Sequence, residues 1–257
     1  MGSTLGTLFL IPNTLGNDAR VEQLPWVLPS ETIAQTAKLI HWIVEDAKTA
    51  RAFLKAVDSV SPLACTIQEM QMSEWRGVAR NAKFGDAVKP MDLLKPLIAG
   101  KDMGLMSEAG VPGVADPGAE LVLAAHKLGA KVKPMVGPSS ILLGLMASGL
   151  NGQRFAFQGY VPHDAQDRIA RLKQLEVESR KLQQTQIWIE TPYRNTAMLM
   201  ACLSALSPQS LLCLGMDLSL PSETITTLSI AEWRKRFPNE AACASLQNRP
   251  AVFLLLA

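Results

Sequence analysis

With 257 residues, 48% of them hydrophobic and 19% charged, the chain is long and apolar enough for one large or two smaller globular domains, which excludes an intrinsically disordered protein. Its 25 basic and 23 acidic residues give a formal charge of +2, too even for nucleic-acid recognition through the overall field, although a local basic patch stays open. Cys65, Cys202, Cys213 and Cys243 lack CxxC spacing and His41, His126 and His163 are scattered, so no metal site is expected and the cysteines read as small buried residues of a reduced compartment.

From the amino terminus, "TLFLIP" reads as a first strand and "NTLGND" as the loop after it. Helical spacing follows in "TIAQTAKLI", strand character in "HWIVE" and helical spacing again in "TARAFLKAV". Residues 58 to 90 give no clear period; they carry Arg76, Arg80, Lys83 and Lys89 among small and polar residues and are expected to be partly mobile. "PMDLLKPLIAG" predicts a short helix broken at Pro96, and "MGLMSEAG" a buried strand. That strand runs into "SEAGVPGVADPG", residues 107–118, a loop with three Gly, two Pro and two carboxylates. "GAELVLAAHKLG" then reads as a helix stopped by Gly129, "AKVKPMV" as a strand, "GPSS" as a turn and "ILLGLMASG" as an apolar helix. Such alternation predicts parallel strands with crossover helices on both faces.

After residue 153 the pattern changes. "RFAFQGYVP", the polar helix "AQDRIARLKQLEVESRKLQQ", the strand "TQIWIETP" and the helix "NTAMLMACLSAL" precede "LLCLGMDLS", "ETITTLS", a helix around "AEWRKRF" and the strand "PAVFLLL". Short strands in succession predict a mixed sheet. The expected organisation is two α/β domains, residues 1–153 with a mainly parallel sheet and residues 154–257 with a mixed one. No apolar run approaches the roughly 20 residues of a membrane helix, and the start lacks a secretory signal pattern, so a soluble cytoplasmic protein is expected.

Four loops fall at the carboxyl ends of expected strands: 12–18, 107–118, 136–140 and 189–195. In an open α/β sheet that is where ligands settle, and Gly/Pro-rich loops let main chain approach them. The familiar phosphate and dinucleotide signatures are missing, since "IPNTLGND" is no GxGxxG and "AGKDMG" no GxxxxGK[ST]. "GPSSI" is no GxSxG nucleophile elbow. Glu108, Asp116 and Glu190 are candidates to accept a proton by loop position. Asp116 has a second reading as a cap of the helix after it, Glu108 as a partner of its own loop. Arg194 could meet a phosphate or tie segments together, and Tyr160 could stack on a ring or simply pack. The basic residues of the polar helix, Arg168, Arg171, Lys173, Arg180 and Lys181, read more readily as a solvated face than as an RNA contact.

Taken in order, "GTLFLIPNTLGN", "GLMSEAGVPGVADPGAELV", "VKPMVGPSSILLGLMASGL", "RFAFQGYVP", "IWIETPYRN" and "NRPAVFLLL" resemble the tetrapyrrole methylase superfamily of S-adenosylmethionine-dependent methyltransferases. Within it the likeness is to the ribosomal RNA small-subunit cytidine 2′-O-methyltransferases and their paralogues. The resemblance implies a homodimer of two-domain subunits with the methyl donor in the cleft between domains, held mainly by backbone. Carried onto this chain, it places Leu15, Gly110, Val111, Pro112, Val114, Pro138, Ser139 and Ser140 around the donor. Tyr160 and Arg194 fall on the substrate side, Glu190 and Glu108 at the chemistry, with no metal. Where the ribosomal enzymes tend to carry Ser-Thr-His-Arg, this chain has Thr191, Pro192, Tyr193 and Arg194. The acceptor implied is a ribose hydroxyl of ribosomal RNA. The alternatives are a tetrapyrrole-like or other small molecule, or donor binding without catalysis.

Overall fold

The computed structural model describes residues 4–16, 20–77 and 88–257, with residues 20 and 21 described by backbone alone. Asn17 and Asp18 of the first expected loop, and Arg80 and Lys83 of the unassigned stretch 58–90, lie outside the described residues. Two compact units emerge, Met1–Pro138 and Ser139–Ala257.

The first unit holds a five-stranded parallel sheet of β1 (Thr7–Leu10), β2 (His41–Val44), β3 (Gln71–Glu74), β4 (Met103–Met106) and β5 (Lys131–Pro134), in the order β3-β2-β4-β1-β5. Side chains alternate between two apolar layers. Phe9 and Trp42 join Ile33, Phe53, Leu54 and Val57 on one face, while Leu8 and Ile43 join Leu94, Leu97 and Leu121 on the other. Gly104 on β4 leaves the room that the Trp42 ring occupies.

Three elements depart from the sequence reading. Helix Arg20–Val27 forms despite Pro25 inside it, because Leu24 and Leu28 are buried against the sheet. The unassigned stretch supplies β3, whose polar sequence "QMSE" suits an edge position with little to bury. Pro96 does not break a longer helix. It sits in the first turn of Lys95–Ile98, and the break comes at Leu94, after the single turn Pro90–Leu93. At the far end of helix Gly118–Lys127, Gly129 takes a φ of 75° and closes the turn as expected.

The second unit begins before residue 153. The helix Ser140–Ser148 packs on the second sheet, with Gly144 against Val252 and Leu254, so its apolar sequence belongs to that core. That sheet is mixed: β6 (Phe155–Tyr160), β7 (Thr185–Glu190), β8 (Leu211–Met216), β9 (Thr224–Ser229) and β10 (Ala251–Leu256), ordered β6-β7-β10-β8-β9, with only β6 and β7 parallel. Trp188 stacks on Phe253 with ring centres 5.7 Å apart, at the centre of the core. Inside it, the buried Glu176 carboxylate accepts hydrogen bonds from Ser207 N (2.7 Å), Ser207 Oγ (3.0 Å) and Ser210 Oγ (2.6 Å). All four cysteines are free thiols; three are buried and Cys65 is half-buried.

Candidate functional site

Strand order brings the glycine- and proline-rich loops together. β1 lies between β4 and β5, so the segments leaving their carboxyl ends emerge side by side. They meet at Gly110. Its φ is 69°, and a Cβ there would stand 3.2 Å from Leu15 Cδ2 and 3.3 Å from the Pro138 carbonyl oxygen. A side chain would be both strained and crowded, so glycine is what lets one residue from each of three loops share a single point.

Asn13 locks that junction and was not picked out by sequence reasoning. It is fully buried, and its N–H donates to Gly110 O at 2.9 Å. Its amide nitrogen donates to Ser107 O (3.3 Å) and Glu108 O (2.9 Å), while its amide oxygen accepts from Thr14 N (2.8 Å). A signal was available: an asparagine directly after a strand offers donors and acceptors to irregular backbone, which is what two apposed loops require. From outside, Thr32 Oγ1 donates to Val136 O (2.9 Å) and Trp75 Nε1 to Pro117 O (3.1 Å), fixing the other loop edges.

Asp116 is a structural carboxylate. It accepts from Gly113 N (2.9 and 2.8 Å) and from Gly118 N (2.6 Å), which staples the loop and caps the helix that follows. Burial pushes its pKa up from the ordinary carboxylate value, opposed by the N–H groups of Gly113, Gly118 and Val114. Glu108 is exposed, its N–H donating to Glu45 Oε2 at 3.3 Å. Val111, Pro112 and Val114 line a cavity of about 480 Å³ together with Leu10, Leu123 and Met135. That volume is within the range of small-molecule sites, and the lining is mainly apolar. Pro138 is buried; Ser139 and Ser140 are half-buried at the head of helix Ser140–Ser148, where Ser139 O accepts from Leu143 N at 2.9 Å.

A second group lies at one end of the mixed sheet, where β6 and β7 finish next to each other. Glu190 ends β7 with its side chain fully buried. Its Oε1 accepts from Thr191 N (2.8 Å) and Thr191 Oγ1 (3.2 Å), and Oε2 lies 3.3 Å from Arg194 Nη2, an ion pair without hydrogen-bond alignment. Arg194, 9% exposed, also donates to Pro162 O at 3.2 Å. Its charge is therefore taken up within the protein. Tyr160 is exposed at the end of β6. Among the described residues no three His, Cys, Asp or Glu side chains gather as a metal site, and no helix is long and apolar enough to cross a membrane.

No family model matches the chain. Relatives do: the ribosomal RNA small subunit methyltransferase I of Vibrio cholerae is 34% identical over 144 residues, 56% of this chain and 49% of that protein. The enzyme of the same name from Xylella fastidiosa is 27% identical over 238 residues, 93% of this chain and 78% of that protein. With the Vibrio cholerae and Pseudomonas aeruginosa relatives, the chain spans about half of their length. Among solved structures, the uroporphyrin-III C-methyltransferase of Thermus thermophilus complexed with S-adenosylhomocysteine superposes with a TM-score of 0.54 at 15% identity, covering 98% of this chain and 97% of that one. Cobalt precorrin-4 methyltransferase superposes with a TM-score of 0.57 at 11% identity, covering 100% of this chain and 96% of that one. These likenesses agree with the parallel-plus-mixed pair of sheets, and the chain shares the fold of those methyltransferases.

Proposed function

We propose that this chain is an S-adenosylmethionine-dependent methyltransferase whose acceptor is RNA of the small ribosomal subunit, methylated on a ribose hydroxyl. The observation that carries the donor half is the junction at Gly110, a backbone cradle that a single Cβ would fill. The acceptor half rests on relatives named for the ribosomal small subunit.

When bound, the donor supplies an already activated methyl group, so the chain's work is alignment rather than activation. Leu15, Gly110 and Pro138 hold the loops apart by fixed amounts, and Val111, Pro112 and Val114 offer apolar surface for the adenosine. Ser139 and Ser140 complete the set with polar groups. Backbone carbonyls and the Glu108 carboxylate suit a positive sulfur. Glu108, exposed on the same loop, is the proposed acceptor of the hydroxyl proton. Glu190 and Arg194 position their loop, because their opposite charges are paired within the protein. The proposal includes a homodimer, a cytoplasmic location and chemistry without metal.

Calorimetry with S-adenosylhomocysteine tests the donor half, with a micromolar dissociation constant expected. Tritiated methyl transfer to purified small subunits, with tetrapyrrole pools in parallel, tests the acceptor. Absence of binding at millimolar donor product removes the donor proposal. The buried state of Glu190 favours one second reading, a donor-binding protein without turnover, which predicts tight binding and no label in any acceptor.

A further inference from the structure

The chain has two tyrosines, and both stand at the same end of the mixed sheet. Tyr160 closes β6, paired in register with Ile189 of β7; Tyr193 lies in the single turn Pro192–Arg194 that follows β7. They are 60% and 64% exposed, high values for large aromatic side chains beside a sheet end. β6 and β7 are adjacent parallel strands, so the two phenol-bearing segments leave the sheet about 5 Å apart in backbone terms.

What holds these segments is unusual in its economy. One buried guanidinium, Arg194, donates to Pro162 O just past Tyr160 and pairs with Glu190 just before Tyr193. Glu190 in turn accepts from Thr191 N and Thr191 Oγ1. A fully buried carboxylate and a nearly buried arginine thus brace two loops whose most exposed large side chains are aromatic. Desolvating such a pair is costly, and the rigidity it confers is what exposed aromatic anchors use to bind without losing much conformational freedom.

We propose that Tyr160 and Tyr193 form the acceptor-recognition pair of this chain: two exposed phenol rings, braced by the buried Glu190–Arg194 clamp, that stack on unpaired nucleobases of RNA. The inference rests on the methyltransferase reading and names the chemistry that selects its acceptor. Neutral aromatic faces take neutral planar rings, and every nucleobase presents one. A polyanionic tetrapyrrole would instead call on the cation of the loop, and Arg194 is already bound to Glu190 and Pro162 O.

The test is fluorescence anisotropy with a dye-labelled single-stranded RNA of about 12 nucleotides, on the wild type, Tyr160→Ala, Tyr193→Ala and the two Phe variants. Each Ala variant is expected to weaken binding by about fivefold to 150-fold, the range of one lost base stack, while each Phe variant stays within about threefold. Thermal melts of all four variants are run alongside, and the Tyr193 pair, exposed on its single turn, should melt with the wild type, which separates recognition from folding. Ala variants that bind RNA as tightly as the wild type overturn the proposal. So does a wild type that binds no RNA, or one whose tyrosines govern binding of uroporphyrin instead. Calorimetry of the wild type with S-adenosylhomocysteine decides the donor reading separately, so each can fail without the other.

Discussion

Replacing Asn13 by alanine is the sharpest probe of the loop junction. The substitution deletes two donor bonds, to Ser107 O and Glu108 O, and one acceptor bond from Thr14 N, all within a fully buried residue. Each such bond contributes about 1 kcal/mol net, and leaving buried partners unmet pushes the loss toward the upper end. About 3 kcal/mol is therefore expected, which in a protein of this size corresponds to a fall in melting temperature of about 6–12 °C. The main-chain bond from Asn13 N–H to Gly110 O remains, so the fold should survive while the loops lose their register. Loss of a preorganised cradle should weaken S-adenosylhomocysteine at least tenfold, about 1.4 kcal/mol. Differential scanning calorimetry and titration calorimetry read the two effects. An Asn13→Ala protein that melts and binds like the wild type would falsify the assignment of Asn13 as the lock.

Three further outcomes follow from other parts of the molecule. Arg194→Met should destabilise by about 3–5 kcal/mol, because it strands the buried Glu190 carboxylate; denaturant titration reads this, and Arg194→Met with Glu190→Gln should recover part of the loss. Glu108→Gln should lower the rate of methyl transfer while donor affinity, measured by calorimetry, changes little; equal rates would remove Glu108 as the proton acceptor. Burial raises the thiol pKa of Cys65, Cys202, Cys213 and Cys243, desolvation being the leading cause at each. Folding thus favours the neutral thiols, a contribution present in full below the unfolded-state value of about 8.5 and lost as pH rises above it. Stability should accordingly fall between pH 8.5 and 10, at up to about 1.4 kcal/mol per pH unit for each buried thiol, in reducing buffer. Melting temperatures that stay flat across that window would contradict the burial of the cysteines.

Much of the architecture was legible because its signals are local. Apolar runs of the parallel sheet, helix periods between them and Gly129 as a stop all correspond to elements of the structure. The loops were legible for the same reason, since Gly and Pro punctuate a sequence strongly. Less visible were features whose cause lies elsewhere in the chain. β3 has no apolar pattern because it needs none at an edge, and helix Arg20–Val27 is made by burial of Leu24 and Leu28 against propensity. Asn13 matters through carbonyls more than ninety positions away, and Glu190 was read as reactive because its partner, four residues on, reaches it only after a turn. The early start of the second unit was hidden too, since an apolar helix does not declare which sheet it covers.

The placement of β1 has a consequence for how the chain reaches its native state. Its strand is made from residues 7–10, yet both of its neighbours come from far downstream, and even the cap on Thr7 N is Asp102, 95 residues away. During synthesis β1 must wait for its first partner until the strand ending at Met106 has left the ribosome, and for its second until Pro134 has followed. High contact order of this kind makes closure of the first unit slow relative to the local β8–β9 hairpin of the second, so refolding should show that hairpin protected from hydrogen exchange before β1.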